Sequence, residues 1–486
     1  MDATSSAGAG WQSRRDLILR IAIDMKIPLV VFCIAILLAS SAGARPIVIR
    51  NATVIDLVSG KKLPGRTIVV DGPLISSVTA VGGSRTINHP TIIDAKGKFV
   101  IPGLWDMHVH YFNNFSRVGT DNKEWYGPLF LANGVTGLRD MASDLDDRTK
   151  AKAWAEEMAK GALGPRVVVG SNIIDGDPPF SPGMLAVKDP EAARAAVRLM
   201  KAQGASYIKV YWNLSPESHA AIADEAKNLG IPFAGHVPFL VSAFTASALG
   251  QKSIEHMTGI AETCSSKEDE LRKKEWTPEV QKEITATFDR EKCRRLYNEF
   301  VKNGTYNVPT MVLHRGMQKY DDPEFRSRPA LGYISNSETR EWEASPQLNR
   351  DMNKLEREKV LREILDVVRE MNNAGVPLLA GTDNNNPFVV PGFDLHDELQ
   401  LFVAAGLTPI QALRTATVNP ANYLNVTNKF GSVSAGMTAD LVLLDADPTI
   451  DIGNTRKIFA VVSNGNYLDR STLDAMLARA KAQPRK

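Results

Sequence analysis

Between Gly103 and Asp383, short apolar runs alternate with longer stretches of helical periodicity, the pattern expected when a parallel sheet is covered by helices. The runs are GLWDMHVH, VTGLRDM, RVVVGSNII, SYIKVYW, PFAGHV, SIEHM, YNVPTMVLH and VPLLAGTD. Eight strand-helix units are the number that closes a (β/α)8 barrel, predicted here over residues 102–425. Helix starts are marked by Asp189-Pro190-Glu191 and Ser215-Pro216-Glu217, and the stops by Gly204 and Gly230. Residues 45–101 and 426–470 instead show short β runs broken by glycine turns, which predicts one small β-sandwich built from both chain ends. The charged stretch 265–302 and the polar stretch 315–350 are expected as solvated helices or insertions flanking the barrel, and 471–486 as a frayed helical tail.

Residues 1–44 have the layout of a signal peptide: an apolar run from Ile27 to Ala39, then Ala42-Gly43-Ala44 as a cleavage site. The run is shorter than the roughly 20 apolar residues of a stable membrane anchor. The expected mature chain is therefore periplasmic or secreted, without a lasting anchor. Met25 is an alternative start, and Ser13-Arg14-Arg15 leaves a twin-arginine export signal open beside the general one. Export leaves Cys264 and Cys293, which in an oxidising compartment either pair or stay as two free thiols. Hydrophobic residues at 44%, charged residues at 23% and a net charge of +2 are ordinary globular values and give no reason to expect nucleic acid.

Candidate chemistry collects at the ends of the apolar runs, where barrel active sites lie. His108 and His110 are two apart on one strand, so both point to one face and can grip one metal ion, although such pairs are also structural. Lys209 stands inside an apolar strand, where an ammonium must be paired, neutral or modified, unless its head escapes to solvent. His236 and His256 each close a further run, and Asp383 another, as a metal ligand and proton acceptor or as a turn residue.

Taken in order, these six residues and the motifs IPGLWDMHVH, GVTGLRDM, IKVYW, AGHVP, SIEHM, GTDNNNP, AGLTPIQALRTATVNPA and GSVSAGMTADLVLLDADP resemble the amidohydrolase superfamily, in its imidazolonepropionase-like and Xaa-Pro dipeptidase-like branch. The resemblance covers nearly all of the chain beyond the signal. It implies two divalent metal ions: His108 and His110 on the more buried one, His236 and His256 on the exposed one, and a carbamate on Lys209 bridging both. Asp383 would bind the buried ion and shuttle the proton. Zinc is the default metal, since mixed imidazole and carboxylate ligation suits it.

The implied reaction is hydrolysis of an amide bond in a dipeptide or N-acyl amino acid by metal-activated water. Cyclic amides, carbamates, ureas and esters are the alternative substrates, and a non-catalytic ligand-binding barrel is the remote one. Tyr111, Arg139 and His314 are candidate substrate contacts, with wall packing open for Tyr111 and barrel locking for Arg139. His314 is expected to close the seventh strand. His396 is expected to be a packing residue, and His89 and His219 surface residues. A homo-oligomer is left open.

Overall fold

The computed structural model describes residues 45–80, 87, 89–112, 122–275, 277–384 and 386–482. The signal peptide expected over 1–44 lies outside them. The strands in chain order are β1 (Ile47–Asp56), β2 (Lys61–Asp71), β3 (Leu74–Ala80), β4 (Thr91–Asp94), β5 (Phe99–Pro102), β6 (Leu104–Val109), β7 (Val135–Asp140), β8 (Arg166–Val169) and β9 (Ile173–Asp175). They continue with β10 (Leu185–Ala186), β11 (Ile208–Val210), β12 (Phe233–Gly235), β13 (Ser253–Glu255), β14 (Tyr306–Val308), β15 (Leu441–Leu444), β16 (Ile458–Ser463) and β17 (Asn466–Asp469).

Strands from both chain ends share one mixed sheet, in the order β17-β16-β15-β5-β1-β2-β3 with β4 beside β1. Where two separate layers were expected, this single sheet folds back on itself. The Ile75 N–H donates to Met437 O and the Ala439 N–H to Pro73 O, so β3 reaches the segment leading into β15. Alternate residues, including Ile49, Ile68, Val70, Leu441 and Val462, enclose a core of their own.

The remaining strands pair in parallel, as β6-β7-β8 and as β10-β9-β11-β12-β13-β14. Every residue of β6 and β7 is buried, the consequence of helices covering a parallel sheet. Backbone bonds outside the named strands bridge these two sheets. On one side the Ser206 N–H donates to Val169 O and the Ser171 N–H to Tyr207 O. On the other, the VPLLAGTD run lies between β14 and β6: the Leu379 N–H donates to Asn307 O and the Met107 N–H to Ala380 O.

The helices obey the local signals. Asp189 and Ser215 cap the helices Pro190–Ala202 and Pro216–Leu229 through the N–H groups of Ala192 and Ser218, and Gly230 ends the second at φ 63°. The stretch 265–302 carries helices Glu268–Leu271, Pro278–Ala286 and Arg290–Asn303, and Cys264 and Cys293 are joined as a disulfide. The tail is a docked helix, Arg470–Ala482, rather than a frayed one, because Leu473 and Ala480 are buried. Among the described residues no helix is long and apolar enough to cross a membrane.

Candidate metal centre

Four imidazoles stand in a row at the carboxyl ends of the parallel strands. Ring centroids are 5.5 Å apart for His110 and His108, 4.4 Å for His108 and His256, and 4.9 Å for His256 and His236. Asp383 completes the group: Oδ1 lies 2.9 Å from His110 Nε2 and 3.3 Å from His108 Nε2, and Oδ2 lies 3.7 Å from His256 Nδ1. Among the described residues His108, His256 and Asp383 bring ligand atoms within 4.8 Å of one another. His256 and Asp383 both hold left-handed backbone, at φ 56° and 58°. Such conformations disfavour non-glycine residues and persist where the surroundings over-determine them, as the Asp383 N–H bond of 2.7 Å to His108 O does here.

The donor chemistry fits divalent cations. Burial holds His108, His236 and His256 well below the ordinary histidine range, helped at His108 and His236 by the Lys209 charge, so the rings are neutral as ligation requires. Burial pushes the Asp383 carboxyl up, but His256, His110 and Lys209 together outweigh it and leave it ionised below its usual range. His108 Nε2 and His236 Nδ1 are buried without a hydrogen-bond partner among the described residues, a costly state that a cation would relieve.

Lys209 is 1% exposed. Burial lowers its ammonium to about 8 against the pull of Glu255 and Asp383, so about a tenth is free amine at pH 7. Gly235 makes room for it: at φ 138° a Cβ there would sit 3.1 Å from Lys209 Cδ and 2.2 Å from Val210 O.

A carboxylate not singled out from the sequence organises the centre. Glu255, on β13, accepts a hydrogen bond from His108 Nδ1–H at 2.8 Å, which turns Nε2 toward Asp383. Arg139 grips both Glu255 oxygens, at 2.9 and 2.8 Å. Its other N–H groups bond Met107 O, Ser253 Oγ and Tyr423 OH, so all five guanidinium donors are committed and the side chain is fully buried. The substrate contact expected of Arg139 is thereby corrected: it locks the strands.

Tyr111 is also fully buried, between Phe112 and Phe130, and forms wall rather than substrate surface. His314 does not close a strand. It lies in the helix Met311–Lys319, where burial lowers it to about 4 and its imidazole bonds the His256 backbone. The strand ends earlier because Pro309 and the left-handed Thr310 (φ 46°) break it, and Glu398 then accepts the N–H groups of Met311 and Val312 at 3.0 and 2.8 Å, starting a helix. His396 is buried against Thr455, and His89 is exposed. His219, expected at the surface, is fully buried beside Gln251.

The family model described as the amidohydrolase family matches residues 99–469. The chain belongs to the amidohydrolase family. The family is one that generally uses divalent metals and acts on small-molecule substrates. The amidohydrolase chain is 22% identical over 404 residues to an imidazolonepropionase of Flavobacterium psychrophilum, covering 80% of this chain and 89% of the relative. It is 38% identical over 126 residues to an adenine deaminase of Rubrobacter xylanophilus, a match to 23% of this chain and only 20% of that enzyme's length. A solved Xaa-Pro dipeptidase with methionine bound in its active site has a similar fold, with a TM-score of 0.64 and 21% identity over 87% of this chain and 100% of that one.

Proposed function

We propose that the protein is an exported amidohydrolase that cleaves the amide bond of dipeptides or N-acyl amino acids with metal-activated water. The observation that carries the reading is the convergence of four imidazoles, Asp383 and a buried, partly neutral Lys209 on one spot at the strand ends. Substrate class is supported by the likeness to the fold of a Xaa-Pro dipeptidase. The bridging bonds on both sides of the parallel sheets support their closure into the eight-stranded barrel over 102–425, with the curled sheet of 45–101 and 426–470 as its companion. Export is supported by the Cys264–Cys293 disulfide, which suits an oxidising compartment.

In this reading His108, His110 and Asp383 would hold one ion and His236 and His256 a second, with Lys209, as a carbamate, the ligand they would share and zinc the metal of choice. Bound there, the ions supply a nucleophilic water near neutral pH and polarise the scissile carbonyl. Asp383, held ionised, accepts the proton of the attacking water and delivers it to the leaving nitrogen. Glu255 keeps His108 in the tautomer that presents Nε2.

Metal analysis of the purified protein with a panel of dipeptides and N-acyl amino acids tests the proposal. The expected outcome is about two zinc equivalents per chain and hydrolysis that chelation abolishes and zinc restores. Full activity after exhaustive chelation would overturn the metal role. Turnover confined to cyclic amides, carbamates, ureas or esters would overturn the substrate class.

A further inference from the structure

Beside the centre, three loops raise an aromatic wall. Tyr211 and Trp212 leave the end of β11 two and three residues after Lys209, and their rings lie 4.1 and 4.7 Å from the His236 imidazole. Phe180, in the loop after β9, sets its ring edge-on to Tyr211 at 5.6 Å, yet is 57% exposed. An exposed aromatic ring set against two half-buried ones beside a polar centre marks a site that takes apolar groups.

The wall is rigid. Asp175, fully buried, accepts the N–H of Phe180 at 2.7 Å and that of Asn213 at 2.6 Å, tying the loop after β9 to the loop after β11. Gly176 packs so tightly on the second loop that a Cβ would fall 1.9 Å from Asn213 O. Trp212 stacks on Phe239 at 4.5 Å and 13°, and the Phe239 N–H donates to Trp212 O at 2.9 Å. A surface fixed in advance costs little ordering entropy when a ligand lands on it.

We propose that Phe180, Tyr211 and Trp212 form an apolar subsite next to His236 that takes a large apolar or aromatic side chain of the substrate. The inference rests on the amide-hydrolase reading above and specifies its substrate class. Phe180 supplies the outer contact, and Tyr211 and Trp212 supply the floor against the centre.

The test is a series of N-acyl amino acids and dipeptides that differ only in one side chain: alanine, serine, glutamate, leucine and phenylalanine. The leucine and phenylalanine members are expected to exceed alanine by about 10- to 100-fold in kcat/KM. Phe180→Ser, at an exposed position whose change leaves the core intact, is expected to cut the ratio of phenylalanine to alanine kcat/KM by about tenfold, and Phe180→Leu to retain most of that ratio. A flat series, or a Phe180→Ser loss equal across all members, overturns the subsite. If no member is hydrolysed, the amide-hydrolase reading fails and calorimetric titration of the zinc-loaded protein decides the subsite separately. Tighter binding of N-acetylphenylalanine than N-acetylalanine, reduced in Phe180→Ser, supports it; equal binding overturns it.

Discussion

At the scale of single residues the centre depends on two side chains that burial has made unusual. Lys209 sits where burial disfavours its charge, which leaves part of it as the free amine that a carbamate requires. Lys209→Ala is expected to lose about half the bound metal, and short carboxylic acids such as propionate to restore part of the activity by standing in for the carbamate. Unchanged metal content would count against a bridging role. Glu255 faces two partners at once, His108 and Arg139. Glu255→Gln leaves an acceptor for His108 but strips Arg139 of its counter-charge in a fully buried site. Metal affinity should fall about 10- to 100-fold. The metal-free protein should also lose about 3–5 kcal/mol to an unpaired buried guanidinium. Chelator competition reads the first effect and denaturant titration of the apoprotein the second, so the two partners are separated by measurement. The reasoning that singled out Lys209, a charge inside an apolar strand, applies equally to Glu255 in SIEHM. What the sequence could not show was its partner, because Arg139 lies 116 positions away and meets Glu255 only through the sheet.

At the scale of elements, the stretch 265–302 is more than a solvated flank. Arg272 donates to Phe239 O at 3.1 Å and to Thr263 Oγ1 at 2.7 Å, and Phe239 lies three residues past His236. Glu268 holds Arg272 on one side and Lys292 on the other, and the Cys264–Cys293 disulfide closes the same segment. The segment therefore anchors the loops that follow two of the histidines. Cys293→Ser is expected to lower the unfolding free energy by about 2–4 kcal/mol, for a closed loop spanning 29 residues of sequence separation. A denaturant midpoint identical to wild type under oxidising conditions would mean the two thiols are not joined in solution. The parallel strands were legible because each is a short apolar run ending in chemistry. The break after β14 was legible only in part: Pro309 in YNVPTMVLH marks the end of a strand, but that the second half turns to helix follows from the tertiary cap supplied by Glu398. His219 was misplaced for a related reason: a polar residue on a polar-looking helix turned inward to Gln251 and Phe233.

At the scale of the whole molecule, buried imidazoles away from the centre set how stability responds to acid. Burial lowers His219 to about 4 and, with the Arg456 charge, lowers His396 to about 3, both from an ordinary value of 6.5. Below about pH 6.5 the unfolded chain binds protons at these sites and the folded chain does not, so the unfolded state gains as pH falls. Their contribution is complete above the unfolded value and is lost progressively as pH descends toward the folded ones. Glu398 runs the other way: burial raises it to about 8, which favours the folded state in acid and costs stability as pH rises from its ordinary 4.5. The opposing slopes place the maximum between these limits, and a single curve cannot assign them. A variant can. His219→Leu carries its own packing cost, but that cost does not depend on pH, and neither proton uptake at the metal ligands nor the titration of Glu398 differs between variant and wild type. From about pH 7.5 to about pH 5 the stability difference should therefore move by about 2 kcal/mol in the variant's favour, the linkage of one imidazole with an unfolded value near 6.5. Parallel curves would mean that His219 binds its proton as readily in the folded chain, which a fully buried ring bonded to Gln251 does not allow.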